Sequence, residues 1–206
     1  MFKKIVVVSA HSDDAEWGCG ATIARFLEEG SDIHYVFCAL PLTETHEESP
    51  MEESIKAIIK LGIKEENIHY KIFPTRHLAK HREKILDFLW NINKELKPNI
   101  VFTISTFDTH QDHQVIAEES FRAFKKTCIF GYELFWNTLE FHANGYFTVS
   151  KEHLNKKIQT LLTHKTQLFR VFMKDCDNLA KSLAVSRGLQ IDKEYAEAFQ
   201  IRRLII

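Results

Sequence analysis

Two short segments of the chain concentrate side chains that can do chemistry. The first reads Ala10-His11-Ser12-Asp13-Asp14-Ala15-Glu16, the second Phe107-Asp108-Thr109-His110-Gln111-Asp112-His113. Two imidazoles and a carboxylate, with a fourth position left for water, form a common catalytic zinc set. His11 and Asp14 can supply two of those ligands and His113 the third. Adjacent aspartates leave a turning backbone in different directions. With Asp14 on the metal, Asp13 can therefore face an activated water and take its proton as general base. His110, three residues before His113, suits a cation beside a developing oxyanion, and Asp112 would stabilise its charged form or orient its ring.

Either segment alone is compatible with a solvated turn and a helix cap, so the elements that would bring the two together decide the matter. Lys4 to Ala10 is a β-branched run without polar alternation, as in a strand covered on both faces. Helical spacing follows from Ala21 to Glu29 and ends at Gly30, then a second strand from Ile33 to Ala39. Ser49-Pro50-Met51-Glu52 has capping-box spacing with proline at the first helical position, opening a helix that runs to Gly62. Strands are expected at 68–73, 100–105 and 128–132, with helices at 81–96 and 114–124. Such alternation predicts one α/β domain over residues 1–206, with a Rossmann-like, open, mostly parallel sheet and helices on both faces. The last third is less regular. A hairpin turning at Asn144-Gly145 is expected within 140–149, helices at 151–165 and 178–188, and a closing strand at 199–206.

Open sheets of this kind bind ligands at the carboxyl ends of their strands. Both chemical segments fall there, after the first and fourth strands, although nearly a hundred residues separate them. Arg76 follows the third strand and could hold a sugar hydroxyl or a phosphate. Glu133, Trp136 and Asn137 follow the fifth, where Trp136 could stack on a sugar ring and Asn137 bond to hydroxyls.

Composition narrows the remaining classes. The formal net charge of −1 arises from mixed acids and bases, which excludes the basic stripes of a nucleic-acid partner. No stretch reaches the roughly 20 apolar residues of a membrane helix, and the N-terminal apolar run meets Asp13 and Asp14 too soon for a signal peptide. A cytoplasmic protein is expected. The four cysteines form no CxxC pair and read as buried free thiols. Gly18-Cys19-Gly20 lacks the third glycine of a dinucleotide fingerprint, Ile23 standing in its place. His34, His46, His69, His77, His81, His142, His153 and His164 have no matching carboxylate cluster and read as surface or packing residues.

The segment Ala10 to Arg25 and the later His110-Gln111-Asp112-His113 resemble the two signature motifs of the LmbE/PIG-L family. Pro98 to Thr103 and Tyr195 to Phe199 resemble it more weakly. The resemblance implies a zinc-dependent deacetylase of substrates containing N-acetylglucosamine, or of related small N-acyl compounds, with Fe2+ as the other candidate ion. By position it implies His11, Asp14 and His113 as metal ligands and Asp13 as general base. It also implies His110 as the group that stabilises the oxyanion and protonates the leaving amine, with Asp112 as its partner. An arginine near Arg76 often contacts substrate in the family. Ser12 and Gln111 stand where proline is usual, at positions that supply no ligand. The implied partner is a small N-acetylated sugar or sugar conjugate, and homo-oligomerisation is left open. Two other readings use the same residues: a non-haem iron oxygenase built on the two-histidine, one-carboxylate set, and a zinc-binding protein without turnover.

Overall fold

The computed structural model describes residues 4–40, 49–167 and 170–205, with backbone alone at 171 and 172. In chain order the elements are β1 (Lys4–His11), α1 (Asp14–Glu28), β2 (Asp32–Leu40), α2 (Pro50–Leu61), β3 (Ile68–Pro74), α3 (Arg82–Leu96) and β4 (Ile100–Ile104). There follow α4 (Gln111–Ala123), β5 (Cys128–Tyr132), β6 (Gly145–Thr148), α5 (Lys151–Leu161), the single turn α6 (Val171–Lys174), α7 (Cys176–Leu189) and β7 (Ala196–Arg203).

The sheet runs β3-β2-β1-β4-β5-β7-β6. Its first five strands are parallel, and β7 and β6 close it antiparallel. In β1, Ile5, Val6, Val7 and Val8 are all fully buried, the consequence of helices on both faces. Helices α1, α2, α5 and α7 pack among themselves on one face, and α3 packs on α4 on the other. Strand order reverses between β1 and β4, so the carboxyl ends of those two strands flank the crevice where ligands bind in open α/β sheets.

Local signals proved reliable where their partners are local. Ser49 and Glu52 form the reciprocal capping box, with Pro50 at the first helical position and Gly62 left-handed at the far end (φ 116°). All four cysteines are buried and unpaired. Three expectations need correction. Helices α1 and α4 begin at Asp14 and Gln111, not at 21 and 114, because their first turns carry polar residues that look like loop. Asn144-Gly145 makes no hairpin turn: the type I′ turn needs φ > 0 at both central residues, and neither has it. Instead Asn144 Oδ1 accepts from Ile201 N–H at 2.6 Å, and β6 pairs with the distant β7. The closing strand starts at Ala196, and the expected last residue, Ile206, lies outside the described residues.

Among the described residues no helix is long and apolar enough to cross a membrane.

Candidate metal centre

His11 ends β1, and Asp13 and Asp14 form the N-cap and first residue of α1. His110 is the N-cap of α4, placing Asp112 and His113 in its first turn. The ligand candidates are thus fixed on helix starts and a strand end, not on free loops. Ser12, between them, is anchored through its hydroxyl, hydrogen-bonded to Ser54 Oγ at 2.6 Å, and by Tyr35, whose hydroxyl donates to its carbonyl at 2.8 Å.

Two ring nitrogens and both oxygens of one carboxylate draw three residues into a small triangle. His11 Nδ1 lies 3.1 Å from His113 Nε2 and 3.3 Å from Asp14 Oδ2, and His113 Nε2 lies 3.3 Å from Asp14 Oδ1. Two ligands on a tetrahedral ion with bonds of roughly 2.0–2.1 Å are separated by about 3.3 Å, so the donor spacing is that of a group able to hold a metal ion. The charge distribution fits too. Burial disfavours a charged imidazole, yet Asp14 and Asp112 outweigh it at His11 and raise that ring to about 10. At His113 burial is likewise overcome by Asp14 and Asp108, to about 9. Burial alone would raise the Asp14 carboxyl, but His113 and His11 hold it well below the usual carboxylate range. Buried anionic oxygens here demand positive charge.

Each histidine is oriented by a second carboxylate. Asp108 Oδ2 lies 2.8 Å from His113 Nδ1, and Asp112 Oδ2 lies 3.3 Å from His11 Nε2. Asp108 was not singled out from sequence. The rule that a ligating histidine donates its other N–H to a carboxylate was the signal that could have found it. Asp112, fully buried, also accepts the backbone N–H groups of Arg76 (2.6 Å) and Leu78 (3.1 Å). Its carboxylate hydrogen-bonds His11, and its charge also favours the protonated form of His110. What His110 receives is the Asp112 backbone N–H, on Nδ1 at 3.1 Å.

That bond changes the expectation for His110. With Nδ1 accepting, a neutral ring carries its proton on Nε2. Burial, reinforced by His113 and His11, pushes His110 down to about 4. His11, His110 and His113 each offer a nitrogen within 4.8 Å of the others. His110 is the looser member, and Asp14 completes the tighter triangle. Asp13 is partly exposed, and its carboxylate makes no capping hydrogen bond.

The expected substrate contacts scatter. Arg76 is exposed with a left-handed backbone (φ 68°), its N–H serving Asp112. Glu133 is committed to Arg187 through two hydrogen bonds of 2.7 Å, so it does not stand free for a ligand. Trp136 is partly buried, edge-on to Trp17 with ring centroids 5.2 Å apart. The Asn137 carbonyl accepts from the Thr109 N–H (3.2 Å) and hydroxyl (3.1 Å), tying the β5 end to the segment before α4. Among the histidines set aside, His46 lies outside the described residues. His164 and His153 do meet carboxylates, Glu16 and Glu28, supplied from 148 and 125 residues away.

Residues 6–124 match the family described as PIG-L, GlcNAc-PI de-N-acetylase. A deacetylase of Escherichia coli (strain K12), YaiS, itself called uncharacterised, is 27% identical over 169 residues, covering 80% of this chain and 91% of the relative. The N,N'-diacetylchitobiose deacetylase of Pyrococcus horikoshii has a similar structure, with TM-score 0.78 and 20% identity over 97% of this chain and 84% of that one. So does the 4-carboxy-2-hydroxymuconate hydratase GalB of Pseudomonas putida KT2440, with TM-score 0.79 and 19% identity over 99% and 98%. At these identities the structural likenesses speak for the fold alone.

Proposed function

The chain belongs to the PIG-L family of de-N-acetylases, and from that premise we propose that it is a zinc-dependent hydrolase removing an acetyl group from the nitrogen of a small amino-sugar-like substrate. The observation that carries the reading is the triangle of His11 Nδ1, His113 Nε2 and the Asp14 carboxylate, with edges of 3.1–3.3 Å. These three residues would hold the ion, Zn2+ or alternatively Fe2+. When bound, it supplies Lewis acidity toward water and toward the acyl carbonyl.

The chain's own residues divide the remaining work. Asp13, uncapped and partly exposed beside the triangle, takes the proton of the attacking water. His110, whose Nδ1 accepts the Asp112 N–H, directs Nε2–H at the oxygen on which charge develops. Asp108 and Asp112 keep His113 and His11 turned toward the centre. The proton collected by Asp13 is available for the departing amine. Exposed Arg76 is the residue best placed among the expected contacts to meet a sugar hydroxyl or phosphate. A cytoplasmic setting and a sugar or sugar-conjugate partner belong to the same proposal.

The test is direct. Enzyme stripped with chelator and reloaded with Zn2+ or Fe2+ is offered a panel of N-acetylated sugars and sugar conjugates, and free amine and acetate are measured in equal amounts. Absence of amine from every substrate with either ion would sink the proposal. Since a hydratase shares the fold, the panel includes an unsaturated dicarboxylic acid, whose loss of absorbance without amine release would favour water addition to a double bond instead.

A further inference from the structure

Gly18-Cys19-Gly20 has a purpose other than binding phosphate. Cys19 has φ −147° and ψ 22°, so α1 is two helical pieces, 14–18 and 20–28, joined at a bend. In an unbroken helix the Ala21 N–H donates to the Trp17 carbonyl, four residues back. Here Ala21 N–H donates to Glu197 Oε1 at 3.3 Å, while the Trp17 carbonyl accepts from Lys157 Nζ at 2.5 Å. Lys157 Nζ and Glu197 Oε1 are 2.7 Å apart. The ion pair is therefore inserted between donor and acceptor of a helical hydrogen bond, a recognised cause of kinks. Glu197 Oε2 also takes the next amide, Thr22 N–H, at 2.7 Å. Space is provided by glycine: a Cβ on Gly20 would lie 3.1 Å from Lys157 Cγ, and one on Gly18 would lie 2.1 Å from the Tyr132 ring.

The pair is buried, Lys157 at 3% and Glu197 at 5% exposure, and it comes from α5 and β7 in the C-terminal third. Stability alone does not explain it, because well-packed apolar residues often replace a buried ion pair at no loss. An apolar pair cannot, however, satisfy Ala21 N–H and the Trp17 carbonyl separately. Without the pair the Ala21 N–H would return to the Trp17 carbonyl, and the helix would straighten. Piece 14–18 starts with Asp14 and is preceded by Asp13, so its direction decides where both carboxylates point. We propose that Lys157 and Glu197 are positioning residues: the pair sets the bend in α1 and thereby aims Asp13 and Asp14 at His11 and His113. This deepens the metal-centre reading above and rests on it.

The test is the double variant Lys157→Met with Glu197→Leu, studied as the full chain. It is expected to fold, to show α1 continuous through Cys19 in its crystal structure, and to move the Asp14 carboxylate away from His113 Nε2. Its Zn2+ Kd, from competition with a chelator, is expected to weaken by about 10–100-fold, as for other residues that orient ligands. The visible spectrum of bound Co2+ should shift with it. A variant that keeps the bend, or straightens while binding Zn2+ within about twofold of wild type, overturns the proposal. Should the double variant fail to fold, Glu197→Gln carries the same comparison. It keeps one acceptor and loses the charge, and a Zn2+ Kd and Co2+ spectrum unchanged from wild type would overturn the proposal equally. Wild-type protein that takes up neither ion would defeat the reading of the site as a metal centre, and the crystal structure would still decide the bend.

Discussion

Asp108 Oδ2 and His113 Nδ1 are 2.8 Å apart in a fully buried pair, while the other nitrogen of the same ring faces Asp14 and His11. The histidine thus has one nitrogen for the centre and one for its anchor, and the anchor fixes the tautomer. Removing the anchor by Asp108→Ala should weaken Zn2+ binding by about 10–100-fold. Asp108→Asn, which keeps the shape and an acceptor, should cost less than Asp108→Ala. Chelator competition measures both, and an alanine variant within about twofold of wild type would show that the packing of α4 holds His113 without help.

Asp13 stands one residue from Asp14, yet the two carboxylates should separate cleanly by function. Asp13→Asn is expected to bind Zn2+ as wild type does and to lose turnover by about 10²–10⁴-fold, the usual worth of a positioned general base. Loss of metal instead of loss of turnover would make Asp13 a ligand. Full activity would remove it from the mechanism.

How much of this was legible in the sequence depended on where each partner lies. Ser49 caps an amide three residues away, and the strand Cys128–Tyr132 announces itself in its own apolar run, so both could be read directly. The convergence of His11 and His113 also followed, because strand alternation fixes which loops share an edge of the sheet. Asp112 could be found but not aimed: its direction is set by the amides of Arg76 and Leu78, which belong to a segment 34–36 residues earlier. Glu133 is expected at a ligand because it follows the fifth strand, and its actual partner, Arg187, lies 54 residues downstream, out of reach of any local reading. Gly18 and Gly20 mark close approach of Tyr132 and Lys157, and nothing in their own neighbourhood says so.

Metal removal should be visible as stability. An ion that binds only the folded chain adds about 2.7 kcal/mol at 100 times its Kd, and a domain of this size moves roughly 2–4 °C in Tm per kcal/mol. Chelated protein is therefore expected to melt about 5–10 °C below protein saturated with Zn2+. The difference should vanish in His11→Ala. Equal Tm with and without Zn2+ in wild type would deny the ion a site on the native state.

Gly18→Ala tests how tightly α1 is pressed on the sheet. Alanine gains about 1 kcal/mol in helix propensity over glycine, but its Cβ would sit 2.1 Å from Cδ2 of Tyr132. That ring cannot swing aside cheaply, since it is fully buried and its hydroxyl donates to the Val8 carbonyl at 3.1 Å. Overpacking of this kind costs about 1–3 kcal/mol, so the variant should be destabilised on balance. Adding Tyr132→Leu should recover part of the loss. Urea unfolding of the three variants gives the coupling, and purely additive effects would contradict the contact.

His164 provides a pH-dependent stability that does not involve the ligands. It is 2% exposed, with Nε2 3.0 Å from Glu16 Oε2. Burial would lower its pKa, but Glu16 of α1 outweighs that with help from Asp13 and from Glu53 of α2, raising it from 6.5 to about 9. A group whose folded pKa exceeds its unfolded value stabilises the fold while protonated in both states' favour, so the contribution is complete below about pH 6.5 and is lost as pH rises through about 9. Wild-type stability measured by urea unfolding in chelator should therefore fall as pH rises above about 6.5, with His11 and His113, raised to about 10 and about 9, contributing beside His164. In His164→Gln, which keeps a donor for Glu16 but cannot titrate, the fall should become shallower by the His164 share. A variant whose stability drops as steeply as wild type would show that His164 has no part in the alkaline loss.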